Sequence, residues 1–170
     1  MLAAGASKRF GSPKQRVLLA EVLARVRESS VGDVVVVTGA HEVETEARVV
    51  PCPEWERGAG ASLRCGLRDL PPEMQAAVVV LADGPDLSPE AIDRVIEVWR
   101  ESAAEVVAAT YGGERLHPVL LARHVWERIP DEGARELPGL LVPCDDLDPP
   151  GDVDFADELP ERFKPPTGEE

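Results

Sequence analysis

The residues with chemical potential fall into two groups, one near each end of the 170-residue chain. The first is Leu2-Ala3-Ala4-Gly5-Ala6, followed by Arg9 and Lys14. Small side chains let a backbone approach a ligand closely, with N–H groups directed at phosphate oxygens. Arg9 and Lys14 would neutralise a triphosphate and the charge that develops when one phosphorus is attacked. The glycine spacing matches neither a Walker A loop nor the dinucleotide fingerprint. The second group is carboxylates. Asp83 closes the apolar run Ala77–Ala82, and Gly84-Pro85 turns the chain away at once. A carboxylate at the C-terminal edge of a parallel strand stands where open α/β sheets bind ligands. Asp152 and Asp154, two residues apart, share a face if their segment is extended. His117, with an ordinary pKa of about 6.5, would meet a phosphate as a neutral donor or as a cation. Asp86 reads as a turn cap and the weaker ligand candidate, and Asp145, Asp146 and Asp148 read as solvated charges. His41 and His124 read as surface residues. No Ser/His/Asp order or Cys/His pair suggests covalent catalysis.

These groups need a scaffold of strands with ends at one edge. Four apolar runs read as buried strands: Val34–Thr38, Ala47–Val50, Ala77–Leu81 and Glu105–Ala109. Near-continuous valine without alternation predicts strands covered on both faces. Leu18, Val22, Leu23 and Val26 form one helical stripe; Ile92, Val95, Ile96 and Trp99 form another. Ser88-Pro89-Glu90 is a helix start, with serine as cap and proline in the first turn. Ser62–Leu70 predicts a shorter helix, stopped by Pro71-Pro72. The alternation predicts one α/β domain with a largely parallel sheet over residues 1–163, and residues 164–170 as a flexible tail. Only Met1 and Leu2 precede the glycine loop, so the first strand is very short or the chain begins within it.

Composition narrows the function classes. Thirty-two acidic residues against eighteen basic give a net charge of −14. That balance argues against nonspecific nucleic-acid binding. Ten acidic residues against two basic lie between Asp145 and Glu170, and that segment reads mainly as a solvated surface. No apolar run approaches the roughly eighteen residues of a membrane span, and no signal peptide is evident. Cys52, Cys65 and Cys144 form no zinc spacing and no disulfide framework, so a reducing cytoplasm is the expected location.

The opening segment, with Gly5, Arg9, Pro13 and Lys14 in place, resembles the signature of nucleotidyltransferases that act on the molybdenum cofactor. The resemblance implies a three-layer α/β/α Rossmann-like fold. It also implies a loop from Leu2 to Gly5 that wraps the triphosphate of CTP or GTP, with Arg9 and Lys14 on its phosphates. Ala4 is similar to the cytidylyltransferase branch, whose guanylyltransferase relatives usually carry glycine there. Pro53–Gly58 and Ser62–Gly66 resemble the loop and short helix beside the nucleotide and pterin pocket. Cys52 replaces a usual asparagine, and Gly60 and Ala61 replace usual hydroxyl residues. Ser62 is left as the matching hydroxyl, read either as an anion contact near a helix N-terminus or as an N-cap. Trp55 is read as packing or as stacking on a ring. Asp83-Gly84-Pro85 resembles the Asp-x-Pro motif whose aspartate coordinates the metal. Asp152-Val153-Asp154 resembles a later Asp-Ile-Asp, so Asp154, with Asp152 as the alternative, is the implied partner ligand. His117-Pro118 resembles a Gly-His-Pro stretch near the transferred phosphate, with Leu116 in place of the glycine.

The resemblance implies a Mg²⁺-dependent enzyme that transfers a nucleotidyl group from CTP to the phosphate of molybdopterin and releases pyrophosphate. Catalysis would rest on Arg9, Lys14 and Asp83. The alternatives are GTP transfer to the same cofactor, transfer to another small phosphorylated acceptor, or a cofactor-binding or chaperone-like module without turnover. Implied partners are the nucleoside triphosphate, a molybdopterin-type acceptor and a transient molybdoenzyme or its chaperone, with no nucleic acid and no membrane.

Overall fold

The structure, a computed structural model, describes residues 1–5 and 15–164. Arg9, Pro13 and Lys14, and the tail after Lys164, lie outside the described residues. Seven strands and three α-helices are described: β1 (Leu2–Ala3), α1 (Gln15–Arg27), β2 (Val35–Thr38), β3 (Arg48–Pro51), α2 (Ala59–Arg68), β4 (Ala76–Val79), α3 (Pro89–Ser102), β5 (Val106–Tyr111), β6 (Glu114–Ala122) and β7 (Leu140–Pro143).

Strands β3, β2 and β1 pair in parallel, and β4, β6, β5 and β7 follow as a second ladder. A parallel bridge from Leu2 to Leu81 joins the two. Only β6 runs antiparallel, between β4 and β5; β7 is parallel to β5. The expectation of a largely parallel sheet therefore holds, with β6 and β7 added to the four runs and the short first strand expected. Gly112 and Gly113, both with positive φ (59° and 83°), form the two-residue turn from β5 into β6. Such a conformation suits a hairpin and excludes most side chains.

Neighbouring side chains along the strands bury on opposite faces, which explains why the valine runs do not alternate with polar residues. Val107, Ala109 and Leu120 pack with Val22 and Val26 of α1 and with Ile92 and Val95 of α3. Val106, Ala108, Val119 and Leu121 pack with Leu63 and Leu67 of α2 and with Val125 and Trp126. The result is a three-layer α/β/α sandwich. Ser88 does stand at the N-cap of α3 with Pro89 in the first turn, but its hydroxyl makes no capping bond there.

The first strand is short, as the sequence suggested. Leu2 and Ala3 pair with Val37 and Thr38 on one side and Leu2 bridges Leu81 on the other, while the earlier parts of β2 and β4 face each other across an apolar cavity of about 490 Å³. Val35, Ala77, Val79 and Ile96 help to line it.

The cysteine reading needs correction. Cys52 and Cys65 form a disulfide, with Cα atoms 5.7 Å apart. Thirteen positions separate them, but α2 folds back over the sheet and contacts β3, which brings Cys65 opposite the residue that follows β3. Cys144 is free and buried.

Candidate active site

The parallel strands deliver the candidate residues to one edge. Ala4 and Gly5 leave β1 there, Gly39 leaves β2, Cys52 follows β3, and Asp83 follows the Leu81 bridge. Because β6 is antiparallel, its early residues arrive at the same edge: the register Val79↔Val119 runs on toward His117.

Asp83 is half-buried, and its carbonyl accepts the backbone N–H of Val153 at 3.2 Å. That bond seats the Asp152–Asp154 segment beside Asp83, although about seventy positions separate them in the chain. Val153 is buried against Leu18 of α1, Asp152 is exposed and Asp154 is half-buried. The Glu158 carboxylate accepts the N–H groups of Asp154 (2.8 Å) and Phe155 (2.9 Å). It does the work of a capping box at the start of the short turn Ala156–Glu158. Glu158 was not among the sequence candidates, although a glutamate three positions after the start of a turn is a readable signal. Among the described residues no group of three or more His, Cys, Asp and Glu gathers as a metal cluster.

His117 is half-buried, and desolvation pushes its pKa down to about 4; Asp83 opposes that shift and Arg115 reinforces it. At neutral pH the ring is therefore neutral in this structure. Arg115 is anchored by the carbonyls of Leu137 (2.6 Å) and Ala134 (3.2 Å). This arginine escaped notice in the sequence because its partners are backbone atoms.

On the other side of the edge, Trp55 packs on Gly39. A Cβ at Gly39 would come within 2.5 Å of Trp55 Cβ and 2.8 Å of the Ala4 carbonyl oxygen. Packing thus explains Trp55, at the mouth of the Ala4–Gly5 loop. Ser62 is corrected. Helix α2 begins at Ala59 with Gly58 at its N-cap, so Ser62 lies inside the helix, buried, and is not the cap. The N–H of Gly60 already donates to the Asp131 carbonyl at 2.8 Å. A side chain at Gly60 would collide with the Pro130 carbonyl, which accounts for glycine at this position. Arg57 and Arg64 both grip the Asp131 carboxylate, and the Arg64 bond foremost holds its pKa below the usual range.

Asp145, Asp146 and Asp148 are exposed, as expected, and the first two also hold partners. Arg94 holds Asp146 through two bonds, at 2.7 and 2.6 Å, and lowers its pKa to about 2. Asp145 accepts the Gly112 N–H at 2.6 Å. Asp86 is held by Arg162 at 2.8 Å. These carboxylates serve the fold because α3, the β5–β6 turn and the C-terminal segment bring donors to them. His124, as expected, is exposed, and it bonds Glu105.

Similarity to other proteins agrees with this geometry. Residues 1–141 match the profile of the family described as the MobA-like NTP transferase domain. No curated protein sequence matches the chain. Among solved structures, the Rv0371c homologue of Mycobacterium sp. strain JC1 is 25% identical with a TM-score of 0.76, covering 92% of this chain and 89% of that one. Rv0371c of Mycobacterium tuberculosis H37Rv is 28% identical, with a TM-score of 0.74 and 92% of each chain covered. A manganese complex of the same protein aligns at 26% identity and a TM-score of 0.60, over 75% of this chain and 71% of that one. Molybdopterin-guanine dinucleotide biosynthesis protein A of Archaeoglobus fulgidus shares the fold, at 16% identity and a TM-score of 0.60 over 85% and 82% of the two chains. The chain belongs to the MobA-like NTP transferase domain family and is a nucleotidyltransferase.

Proposed function

We propose that the protein transfers the cytidylyl group of CTP to the phosphate of molybdopterin and releases pyrophosphate. The observation that carries this reading is the backbone bond between Asp83 and Val153, which brings two carboxylate-bearing segments together where the Ala4–Gly5 loop leaves the sheet. An acceptor phosphate oxygen forms the new bond to the α-phosphorus, and the bond from that phosphorus to the pyrophosphate oxygen breaks. The attacking oxygen is already anionic, so no side-chain nucleophile or base is required; positioning and charge compensation suffice.

The chain's own residues divide the work. Backbone from Leu2 to Gly5 cradles the triphosphate, and Arg9 and Lys14, outside the described residues, compensate charge on its oxygens. Neutral His117 donates a hydrogen bond to a phosphate without adding charge. Trp55 walls the mouth, and Ser62 lies in the first turn of the helix beside it. Asp83 and Asp154, with Asp152 as the alternative, offer hard oxygen donors of the kind that suits Mg²⁺ or Mn²⁺. The manganese complex of the 26%-identical relative supports a divalent ion. Such an ion, when bound, offsets the triphosphate charge and makes the α-phosphorus more electrophilic. The choice of CTP rests on Ala4, and the choice of molybdopterin on the family resemblance.

The test is a comparison of kcat/KM for CTP and GTP with molybdopterin as acceptor, read as pyrophosphate release. CTP is expected to win. Equal values or a GTP preference would remove the base assignment and leave the reaction class standing. Release only with a different phosphorylated acceptor would remove molybdopterin.

A further inference from the structure

The segment that carries Asp152 and Asp154 lies beyond the 141 residues matched by the family profile. It forms a strap across the Asp83–Asp86 turn. Two backbone bonds hold it: Val153 N–H to the Asp83 carbonyl at 3.2 Å, and Asp86 N–H to the Pro150 carbonyl at 3.0 Å. The third tie is a side chain. Nη2 of Arg162 donates to the Pro85 carbonyl at 3.2 Å and to Asp86 Oδ1 at 2.8 Å. Its Nε stands 3.9 Å from Glu21 of α1, the helix entered from the basic loop. Its guanidinium lies over the ring of Phe163, 4.8 Å from the centroid. Phe163 in turn packs with Leu159, Val153 and Leu18.

We infer that Arg162 is a positioning residue that sets the affinity of the Asp83–Asp154 pair for its divalent ion, by clamping the Asp83–Asp86 turn to the strap. The inference rests on the reading of those carboxylates as the ion's donors. Arg162 touches neither ion nor substrate. It acts through Asp86 and Pro85, two and three positions from Asp83, and through the packing of Val153 between Asp152 and Asp154. Both Arg162 and Asp86 are about two-fifths exposed, so their ion pair adds little to folding stability. A small shift between two carboxylates nevertheless changes how well they share an ion, and outer contacts of this kind commonly change metal affinity by about ten- to a hundredfold.

The experiment is titration of the full chain with Mn²⁺, alone and with CTP, followed by electron paramagnetic resonance of free Mn²⁺. Arg162→Ala should raise the Mn²⁺ dissociation constant about tenfold, while the melting temperature and the KM for CTP at saturating Mn²⁺ stay near the parent's. Arg162→Lys should recover only part, because an ammonium lacks the planar fork that serves Pro85 and Asp86 together. Asp83→Asn is the control. If Asp83→Asn binds Mn²⁺ as the parent does, the carboxylate reading fails and the inference falls with it. If Asp83→Asn loses Mn²⁺ but both Arg162 variants bind within about twofold of the parent, a factor worth well under 1 kcal/mol, the inference alone is overturned. A lowered melting temperature with unchanged Mn²⁺ affinity would mark Arg162 as merely structural and would overturn it too.

Discussion

The two flanks of the site edge are held by different kinds of force. On the α2 flank, Cys52–Cys65 ties the end of β3 to the helix, Gly60 accepts a backbone approach that no other residue allows, and two arginines share Asp131. On the Asp83 flank, the strap is seated by two backbone bonds, one exposed arginine and a small apolar cluster. The first flank is covalent and close-packed, and substitutions there should register as lost stability. The second is polar and lightly tied, and substitutions there should register as lost turnover or ligand affinity. A site that must admit a charged substrate cannot be packed as tightly as the wall behind it.

The sharpest way to break that comparison is Asp83→Asn. Turnover should fall roughly 10³-fold, about 4 kcal/mol of transition-state stabilisation, while the melting temperature stays close to the parent's. Near-normal initial rates would mean that the Asp83 flank has no functional privilege.

Reduction of Cys52–Cys65 tests the opposite flank. Cross-links closing loops of this length contribute about 3 kcal/mol, so the denaturant midpoint should drop clearly in the presence of a dithiol. Cys52→Ser should reproduce the drop and make it insensitive to reductant. An unchanged midpoint would show that packing alone holds α2 to β3. Gly60→Ala comes next, with about 2 kcal/mol expected for overpacking against a backbone carbonyl. Chemical denaturation with an unchanged slope is the measurement, and a neutral outcome would imply that the Pro130–Asp131 loop yields easily.

A further expected effect is a pH dependence on the Asp83 flank. The folded state holds His117 near a pKa of about 4, below the ordinary value of 6.5. The unfolded chain therefore takes up a proton first. The stability contribution is full above 6.5, declines as pH falls through the window, and is lost below about 4. Thermal melts of the parent and His117→Gln between these limits should converge as the pH falls. Parallel curves would remove burial as the cause.

Much of the scaffold was legible in the sequence. The valine runs of β2, β4 and β5 and the stripes of α1 and α3 reflect burial on both faces of a sheet, a property of composition and period. Strand β6 was harder to read because Glu114, Arg115 and the His117-Pro118 pair break its apolar run, although Gly112-Gly113 between two strands is a turn signal in its own right. Strand β7 is four residues long and closes on Pro143, so its identity comes from pairing with β5. Ser62 was misplaced because the start of α2 is decided at Gly58, where the chain must clear the Asp131 carbonyl.

By itself, then, the sequence determined the layer architecture, the small-residue loop with its two basic residues, and an aspartate at a strand end. These depend on local period, side-chain size and charge. Tertiary structure decided which distant pieces meet. The pairing of Cys52 with Cys65, the neutral state of His117, the partners of Asp145 and Asp146, and the seating of Val153 on Asp83 all arise from contacts across the fold. A linear pattern records what each residue is able to do. Desolvation and the choice of hydrogen-bond partner depend on what the folded chain places beside it.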